Sequence, residues 1–423
     1  MNQLYKYNQH TSIIATLIVV LLFCAELTAY AKDYVNQVVL EICLYCAVCI
    51  FMFIYANKNP IRPNFTNPFW IMLFVYLLLL FIRIVADFVI PEKGFFLYKS
   101  AETVVFFYIF PIIIPAIFFY SFRFYYNIKK ISFLLAIILT SCILKSIYDI
   151  LNGNAVLNND GRFDTAIFSI SLGQYATSLF LLGIYLIVNE QRSLWRYIYI
   201  YIFFCFTGVV GVLFSGSRGP FVSLIICILF YFSSRIRHLY RLIILIGCIA
   251  LCWGIIGDAM MSLNEYLIDN DIRSFDRVVT SIFSDDGLSN HTSGRDLLYK
   301  EALQLFFDNP IFGNSYLIPG KIYVHNIIIE QYMATGILGG TLFLLLNIFA
   351  LISGFKLMRK NKQFAIIPML LLQYFVFGCL SITILALFPY WICLLLTMNQ
   401  YDNISINDRY RQTTTGVYNH PDI

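Results

Sequence analysis

Residues 197–234 read YIYIYIFFCFTGVVGVLFSGSRGPFVSLIICILFYFSS, two apolar runs joined by the short turn Ser215-Gly-Ser-Arg-Gly219. A helix rises about 1.5 Å per residue, so runs of this length are on the scale of the ~30 Å hydrocarbon core of a bilayer. With almost no loop between them, the two runs form a membrane hairpin whose only polar chemistry sits at its turn. Gly219-Pro220 suits the start of the second helix, because proline is tolerated where its missing amide donor would be unpaired.

The rest of the chain repeats this texture. Of 423 residues 60% are hydrophobic and only 13% charged, with a mean hydropathy of +0.75. Soluble domains carry roughly 25% charged residues, so the composition places the chain in a bilayer. Apolar blocks fall at 12–31, 36–56, 69–90, 101–122, 131–151, 166–188, 197–215, 220–234, 241–260, 325–354, 365–383 and 385–399. The expectation is an all-α integral membrane protein of about 12 transmembrane helices, residues 1–423 forming a single polytopic membrane domain. Residues 12–31 lack a small-residue cleavage site, so no cleaved signal is expected.

Basic residues set the orientation. Lys129-Lys130, Arg192, Arg196, Arg235, Arg237 and Lys356–Lys362 all fall in short loops on the side of the amino terminus, which is therefore read as cytoplasmic. An even number of spans returns the carboxyl terminus to the same side. The net charge of +5 thus reflects topology and not a nucleic-acid surface. All 11 cysteines fall in apolar spans, so no disulfide framework is expected, and Cys43, Cys46 and Cys49 read as packing residues rather than metal ligands.

One substantial extramembrane segment remains, 261–324, an outer loop inserted between helices nine and ten. Within it Arg295–Asp308 has a helical pattern, with Leu298, Ala302, Leu305 and Phe306 on one face and Lys300, Glu301 and Gln304 opposite. Ser293 and Asp296 fit a capping box that would start this helix, which is expected to lie on the membrane surface. Within the segment Asp285-Asp286 is read as a solvated turn, and a metal-bound diphosphate is not indicated. Inside the spans, Arg83 with Asp87 and Lys145 with Asp149 are one turn apart, so each pair can neutralise itself. Pro111 and Pro115 would kink the fourth span.

Three polar stretches share the outer face: Ser215–Gly219, Ser293-Gly-Arg295 and His325-Asn326. At the first, a helix amino terminus offers free amides beside Arg218, and small neighbours such as Ser217 let a phosphate approach closely. At the third, the amino-terminal dipole disfavours imidazolium and leaves a neutral His325 able to accept a proton. Glu330, one turn past Asn326, would need a partner or a proton inside the membrane, and Gly336, Gly339 and Gly340 would allow close helix packing. Two guanidinium groups and a base suit a substrate with a diphosphate leaving group and a hydroxyl nucleophile.

These residues resemble the O-antigen ligase and O-antigen polymerase superfamily of bacterial envelope glycosyltransferases. The resemblance rests on Ser215-Gly-Ser-Arg-Gly219, on Gly294-Arg295 leading into an amphipathic helix, and on Asn309-Pro-Ile-Phe-Gly313. It rests also on His325-Asn326 with Gly336 eleven positions after the histidine and Gly339 three further on. It implies a twelve-helix, cofactor-free and metal-independent transferase of the membrane-embedded type C kind in the bacterial inner membrane. Such an enzyme works on the periplasmic face with inversion. Donor and acceptor would be undecaprenyl-diphosphate-linked oligosaccharides, with a chain-length regulator as a further partner. The family's essential arginines match Arg218 and Arg295, and its histidine matches His325; Arg162, Ser217, Tyr299, Asn326 and Glu330 are candidate contacts to diphosphate or glycan.

Arg162 followed by Gly173 matches the Arg-x10-Gly pattern of polymerases, although Arg162 reads equally as a loop arginine. Tyr299 stands where the ligase pattern has leucine, and the interval from Arg295 to His325 is compact for a ligase. These features favour a polymerase that joins lipid-linked repeat units. A ligase acting on lipid A-core is the alternative, and a lipid-linked oligosaccharide flippase the alternative of another class.

Overall fold

The computed structural model describes residues 9–24, 37–61, 67–89, 108–124, 126–152, 156–157, 163–164, 169–189, 197–215, 217–235, 261–262, 265, 268, 295–319 and 323–416. In chain order the helices are α1 (Gln9–Cys24), α2 (Gln37–Lys58), α3 (Pro68–Val89), a π-helical turn (Ile109–Ile113) running into α4 (Ile114–Ser121), and α5 (Ile128–Leu151). Next come α6 (Ser169–Val188), α7 (Ile198–Phe214), α8 (Arg218–Arg235), α9 (Arg295–Asp308), α10 (Ile327–Lys360), α11 (Ile366–Ser381) and α12 (Phe388–Gly416). The strands described, β1 (Val156–Leu157) and β2 (Phe163–Asp164), pair antiparallel between α5 and α6.

Every apolar block read from the sequence coincides with or runs into a helix, save 241–260, which lies outside the described residues. Among the described residues six helices are long and apolar enough to cross a membrane: Val39–Lys58, Pro68–Asp87, Ile128–Leu151, Ile170–Val188, Ile327–Lys360 and Lys362–Ser381. Thr11–Cys24, Ile109–Ser121, Ile198–Phe214 and Gly219–Ser234 are shorter apolar helices.

The helix faces confirm an apolar surround. On α3, Ile71, Val75, Leu78, Ile82 and Val85 form an exposed stripe at helical spacing, while Phe69, Trp70, Leu73, Tyr76, Leu80 and Ile84 are buried on the other side. In water each exposed side chain would forgo about 1.5–3 kcal/mol of burial, so such a stripe belongs against lipid. Around Pro111 the helix widens into the π turn, since Pro111 and Pro115 both lack the amide donor an α-helix would use there.

The two intramembrane ion pairs are present, Arg83–Asp87 at 3.3 Å and Lys145–Asp149 at 3.5 Å. Arg83 does more than neutralise its neighbour. Its guanidinium donates to the carbonyls of Phe312, Gly313 and Asn314, and Asp87 accepts from the amide of Tyr316 at 2.6 Å. The pair therefore clamps the backbone of the segment between α9 and α10.

That segment also breaks α10. The sequence reads 325–354 as one span, but Gly336 has φ 66 and ψ −164 inside the helix. In an uninterrupted helix the Ile337 amide would donate to the Met333 carbonyl. Instead it donates to Pro310 O at 2.8 Å, and Met333 O accepts from Asn314 N at 2.9 Å. The loop thus intercepts one rung of the helical ladder. Gly313 (φ 75) and Gly336 face each other there: a Cβ on Gly336 would lie 2.2 Å from Ile311 O, and one on Gly313 2.3 Å from Ala334 O. Only glycine fits either position. At Gly339 and Gly340 the atoms nearest to an added Cβ belong to the side chains of Thr335 and Tyr332 of the same helix.

Candidate functional site

α11 ends at Ser381, followed by the non-helical residues 382–383. The last carbonyls of a helix have no partner within it. Here two are met by the residues that the sequence marks as chemical. The Nη1 of Arg295, in the first turn of α9, donates to Leu380 O, and the Nδ1 of His325 lies 3.1 Å from Ser381 O. The third stretch arrives at the same place. A Cβ on Gly219 would sit 3.6 Å from Ser381 Oγ and 3.8 Å from Leu380 Cδ1, so the start of α8 packs on this helix end.

α8 begins at Arg218, earlier than the Gly219-Pro220 start expected from the sequence, which puts Arg218 in the first turn itself. The Arg218 side chain lies outside what the structure describes. The turn before it is tied locally: Ser215 Oγ donates to Val212 O at 2.7 Å and accepts from Ser217 N at 3.3 Å. Ser217 is buried in this turn. On the neighbouring helix, Gly173 lets α6 approach, since a Cβ there would lie 2.4 Å from Pro220 Cγ and 2.6 Å from Ser215 Oγ. Whatever Arg162 does, the glycine of the Arg162–Gly173 spacing supports the turn carrying Arg218. Arg162 is outside the described residues, as are Ser293, the proposed cap of α9, and Asp285-Asp286.

His325 is the non-glycine residue described with a positive φ, 62°. That conformation costs about 1–3 kcal/mol and persists only where surroundings enforce it. Asn326 supplies part of the enforcement: its Oδ1 caps α10, accepting from Ile328 N at 3.0 Å and Ile329 N at 3.2 Å. Ser381 O supplies another part. A carbonyl oxygen only accepts, so the contact to Nδ1 requires the proton there and leaves the Nε2 lone pair free. Burial holds the His325 pKa below the usual 6.5; the Ser381 carbonyl pulls it upward and the charge of Arg295 pushes it down again. A neutral imidazole with a free Nε2 is a base at neutral pH. The Tyr323 ring stands 4.4 Å from the imidazole, centre to centre, and burial raises its phenol pKa.

Glu330 and Tyr299, both candidate contacts to diphosphate or glycan, pack against protein. Glu330 is wholly buried, its Oε1 accepting from Tyr316, Gln331, Thr383 and the Ile384 amide. The partner demanded of a carboxylate in this setting is therefore present. Tyr316 is buried with it. Tyr299 packs at the edge of a small cluster of Ala302, Ile318, Val324 and Met333, which fastens α9 to α10. On the apolar face of α9 expected from the sequence, Phe306 meets Tyr332 edge-on at 5.9 Å.

Sequence reasoning missed Leu380 and Ser381, the acceptors on which the site converges. The available signal is the run Ser381-Ile-Thr383, polar residues interrupting an otherwise apolar stretch. It also passed over Asp269-Asn270-Asp271, which has the spacing of a metal–diphosphate motif and lies outside the described residues.

No curated protein matches the chain. A family model does: residues 202–344 match that of O-antigen ligase, a stretch holding the Ser215–Gly219 turn, α9 and the His325–Gly340 segment. With the match come activity of the O-antigen ligase or polymerase type and a multi-pass membrane enzyme of glycosyltransferase character. Residues 202–344 are thus similar to the O-antigen ligase family, which supports the resemblance of the chain to the O-antigen ligase and O-antigen polymerase superfamily.

Proposed function

We propose that the chain is a polymerase of O-antigen or a related surface polysaccharide. In this reading it has the twelve-span, type C arrangement, with both termini cytoplasmic and its site facing the periplasm across the inner membrane. The observation that carries the reading is the convergence of Arg295, His325 and the Arg218–Gly219 helix start on the carboxyl end of α11.

The chemistry follows from that placement. Arg295 uses one of its five donors on Leu380 O, which aims the rest of the fork. With Arg218 and the free amides of α8 it would hold the diphosphate of an undecaprenyl-linked donor. A hydroxyl of the acceptor glycan attacks the anomeric carbon from the face opposite the diphosphate. The carbon–oxygen bond to the diphosphate breaks, undecaprenyl diphosphate leaves, and the hydroxyl proton passes to His325 Nε2 with inversion at the carbon. The negative carbonyl end of α11 then stabilises the imidazolium. Asn326 acts by holding the start of α10, and Ser217 by closing the turn beside the phosphate.

The acceptor is assigned from the compact interval between Arg295 and His325 and from Tyr299 at the place where the ligase pattern has leucine. The family description favours a second reading, transfer to lipid A-core. A lipopolysaccharide gel from a deletion strain separates them. A polymerase leaves core bearing a single repeat unit; a ligase leaves bare core and accumulates lipid-linked polymer. Repeat units trapped on the cytoplasmic face would instead support a flippase. The transfer should also survive EDTA; strict need for a divalent ion would move the diphosphate to Asp269-Asn270-Asp271.

A further inference from the structure

The carbonyls of Leu380 and Ser381 can orient Arg295 and His325 only if the end of α11 is itself held still. Nothing in an α-helix fixes its own last turn. The fixing comes from residues just beyond it. Glu330 Oε1 accepts from Ile384 N at 3.1 Å and Thr383 Oγ1 at 3.1 Å, and Tyr316 OH donates to it at 2.9 Å. Tyr316 OH also lies against Thr383 Oγ1 and accepts from Leu385 N at 3.3 Å. On the far side Gln331 donates to the same oxygen at 3.2 Å and accepts from Tyr76 of α3 at 2.7 Å. Among the described residues Glu330 Oε2 has no hydrogen-bond partner. A buried carboxyl with one oxygen crowded by donors and the other bare is costly to keep for packing alone.

We propose that Glu330 is a positioning residue: its Oε1 anchors Thr383 and Ile384 and thereby sets where the Leu380 and Ser381 carbonyls hold Arg295 and His325. The inference rests on the functional reading above for its consequence, but not for its geometry. Glu330 touches neither substrate nor proton in this scheme. It acts through the break after α11, with Tyr316 carrying the link onward to the Asp87 and Arg83 clamp on α3.

The test uses the full-length protein in proteoliposomes with two readouts, amide hydrogen exchange across 380–388 and transfer rate per molecule on a lipid-linked glycan. In Glu330→Ala, exchange at Ile384 and Leu385 should rise at least about tenfold while α6 stays as in the wild type. The kcat should fall by about 30-fold with KM changed less than about threefold, since substrate contacts are retained while alignment is lost. Glu330→Gln keeps an oxygen able to accept from the same donors and should retain kcat within about fivefold. Unchanged exchange in Glu330→Ala would overturn the anchor, and raised exchange with unchanged kcat would overturn its consequence. A Glu330→Gln protein as slow as Glu330→Ala would also overturn it, because charge and not acceptance would then matter. If Glu330→Ala does not fold, Tyr316→Phe combined with Thr383→Val removes two of the donors and is judged by the same two readouts. Should the wild type transfer no glycan, the functional reading fails and exchange alone decides the anchor.

Discussion

The molecule ends two helices in polar surroundings, and it does so with different residues. α4 finishes near Phe119–Phe122, where Asn399 Nδ2 donates to Phe119 O at 2.6 Å and Phe122 O at 2.8 Å, and Gln400 donates to Phe124 O. Asn403 completes the set by donating to Asn399 Oδ1 at 3.0 Å. α11 finishes at Leu380–Ser381, where the donors are Arg295 and His325. The two ends lie well apart, Asn399 being about 17 Å along α12 from Phe388 at 1.5 Å per residue. Orphan carbonyls pose the same problem at both. Neutral amides solve it at one without changing charge or protonation. At the other the donors are a fixed cation and a titratable ring, which packing alone does not call for and chemistry does.

The largest test of that contrast removes the donors at the α11 end. Arg295→Ala should lower glycan transfer per molecule by about 10²–10³-fold, the usual effect of losing one donor to developing charge. His325→Ala should lower it by about 10²–10⁴-fold, as for a lost general base. Membrane insertion should be normal in both. Full activity of His325→Ala, measured on lipopolysaccharide ladders at matched protein levels, would leave the α11 end as merely another capped helix.

A second test strikes the frame rather than the donors. In Gly336→Ala the new Cβ meets backbone, Ile311 O at 2.2 Å and Gly313 N at 2.6 Å, in a conformation that side chains avoid. The loop must withdraw from the kink, which disturbs the short helical segment carrying His325 and Asn326 at its start. A loss of about 10–100-fold in transfer is expected, in line with a displacement near 1 Å at a reacting group. Gly313→Ala should behave alike, because its Cβ would collide with Ala334 O from the other side.

How much of this could be read in advance differs between the same regions. The helices, the Arg83–Asp87 pair and the whole of α9 from Arg295 to Asp308 follow from apolar periodicity and charge spacing, both local properties. The residues Arg218, Arg295 and His325 follow from motifs. Their meeting point does not, because a backbone carbonyl at Leu380 or Ser381 carries no side-chain signature. The kink at Gly336 was legible as a glycine but not as a break, since its cause lies at Pro310–Gly313 and acts through backbone contacts. Glu330 could be recognised as needing a partner; that the partners would be Tyr316, Thr383 and Ile384 required the fold.

The acid side of the pH profile sharpens the contrast further. Burial first, and Arg295 next, keep His325 neutral to lower pH than a free imidazole. The base form is present above the folded pKa, so transfer should be flat from about pH 7 to 8 and fall about tenfold per unit only on the acid side. The midpoint should lie below 6.5. A midpoint above 6.5, in rates measured on proteoliposomes, would mean that the imidazolium is favoured and that His325 enters the reaction protonated.

The smallest expected effect on catalysis is at the other helix end. Asn399→Ala removes donors to Phe119 O and Phe122 O and the acceptor of the Phe124 amide, all buried or nearly so. Hydrogen bonds between membrane helices are worth about 0.6–2 kcal/mol each, so stability should drop by about 1–2 kcal/mol, visible as a lower unfolding temperature in detergent. No reacting group lies there, and transfer per folded molecule should stay within about twofold of the wild type. If Asn399→Ala instead reduced transfer as strongly as Arg295→Ala at equal folded amounts, neutral caps and charged caps would be doing the same job. The case for chemistry at the α11 end would then have to rest on the family match alone.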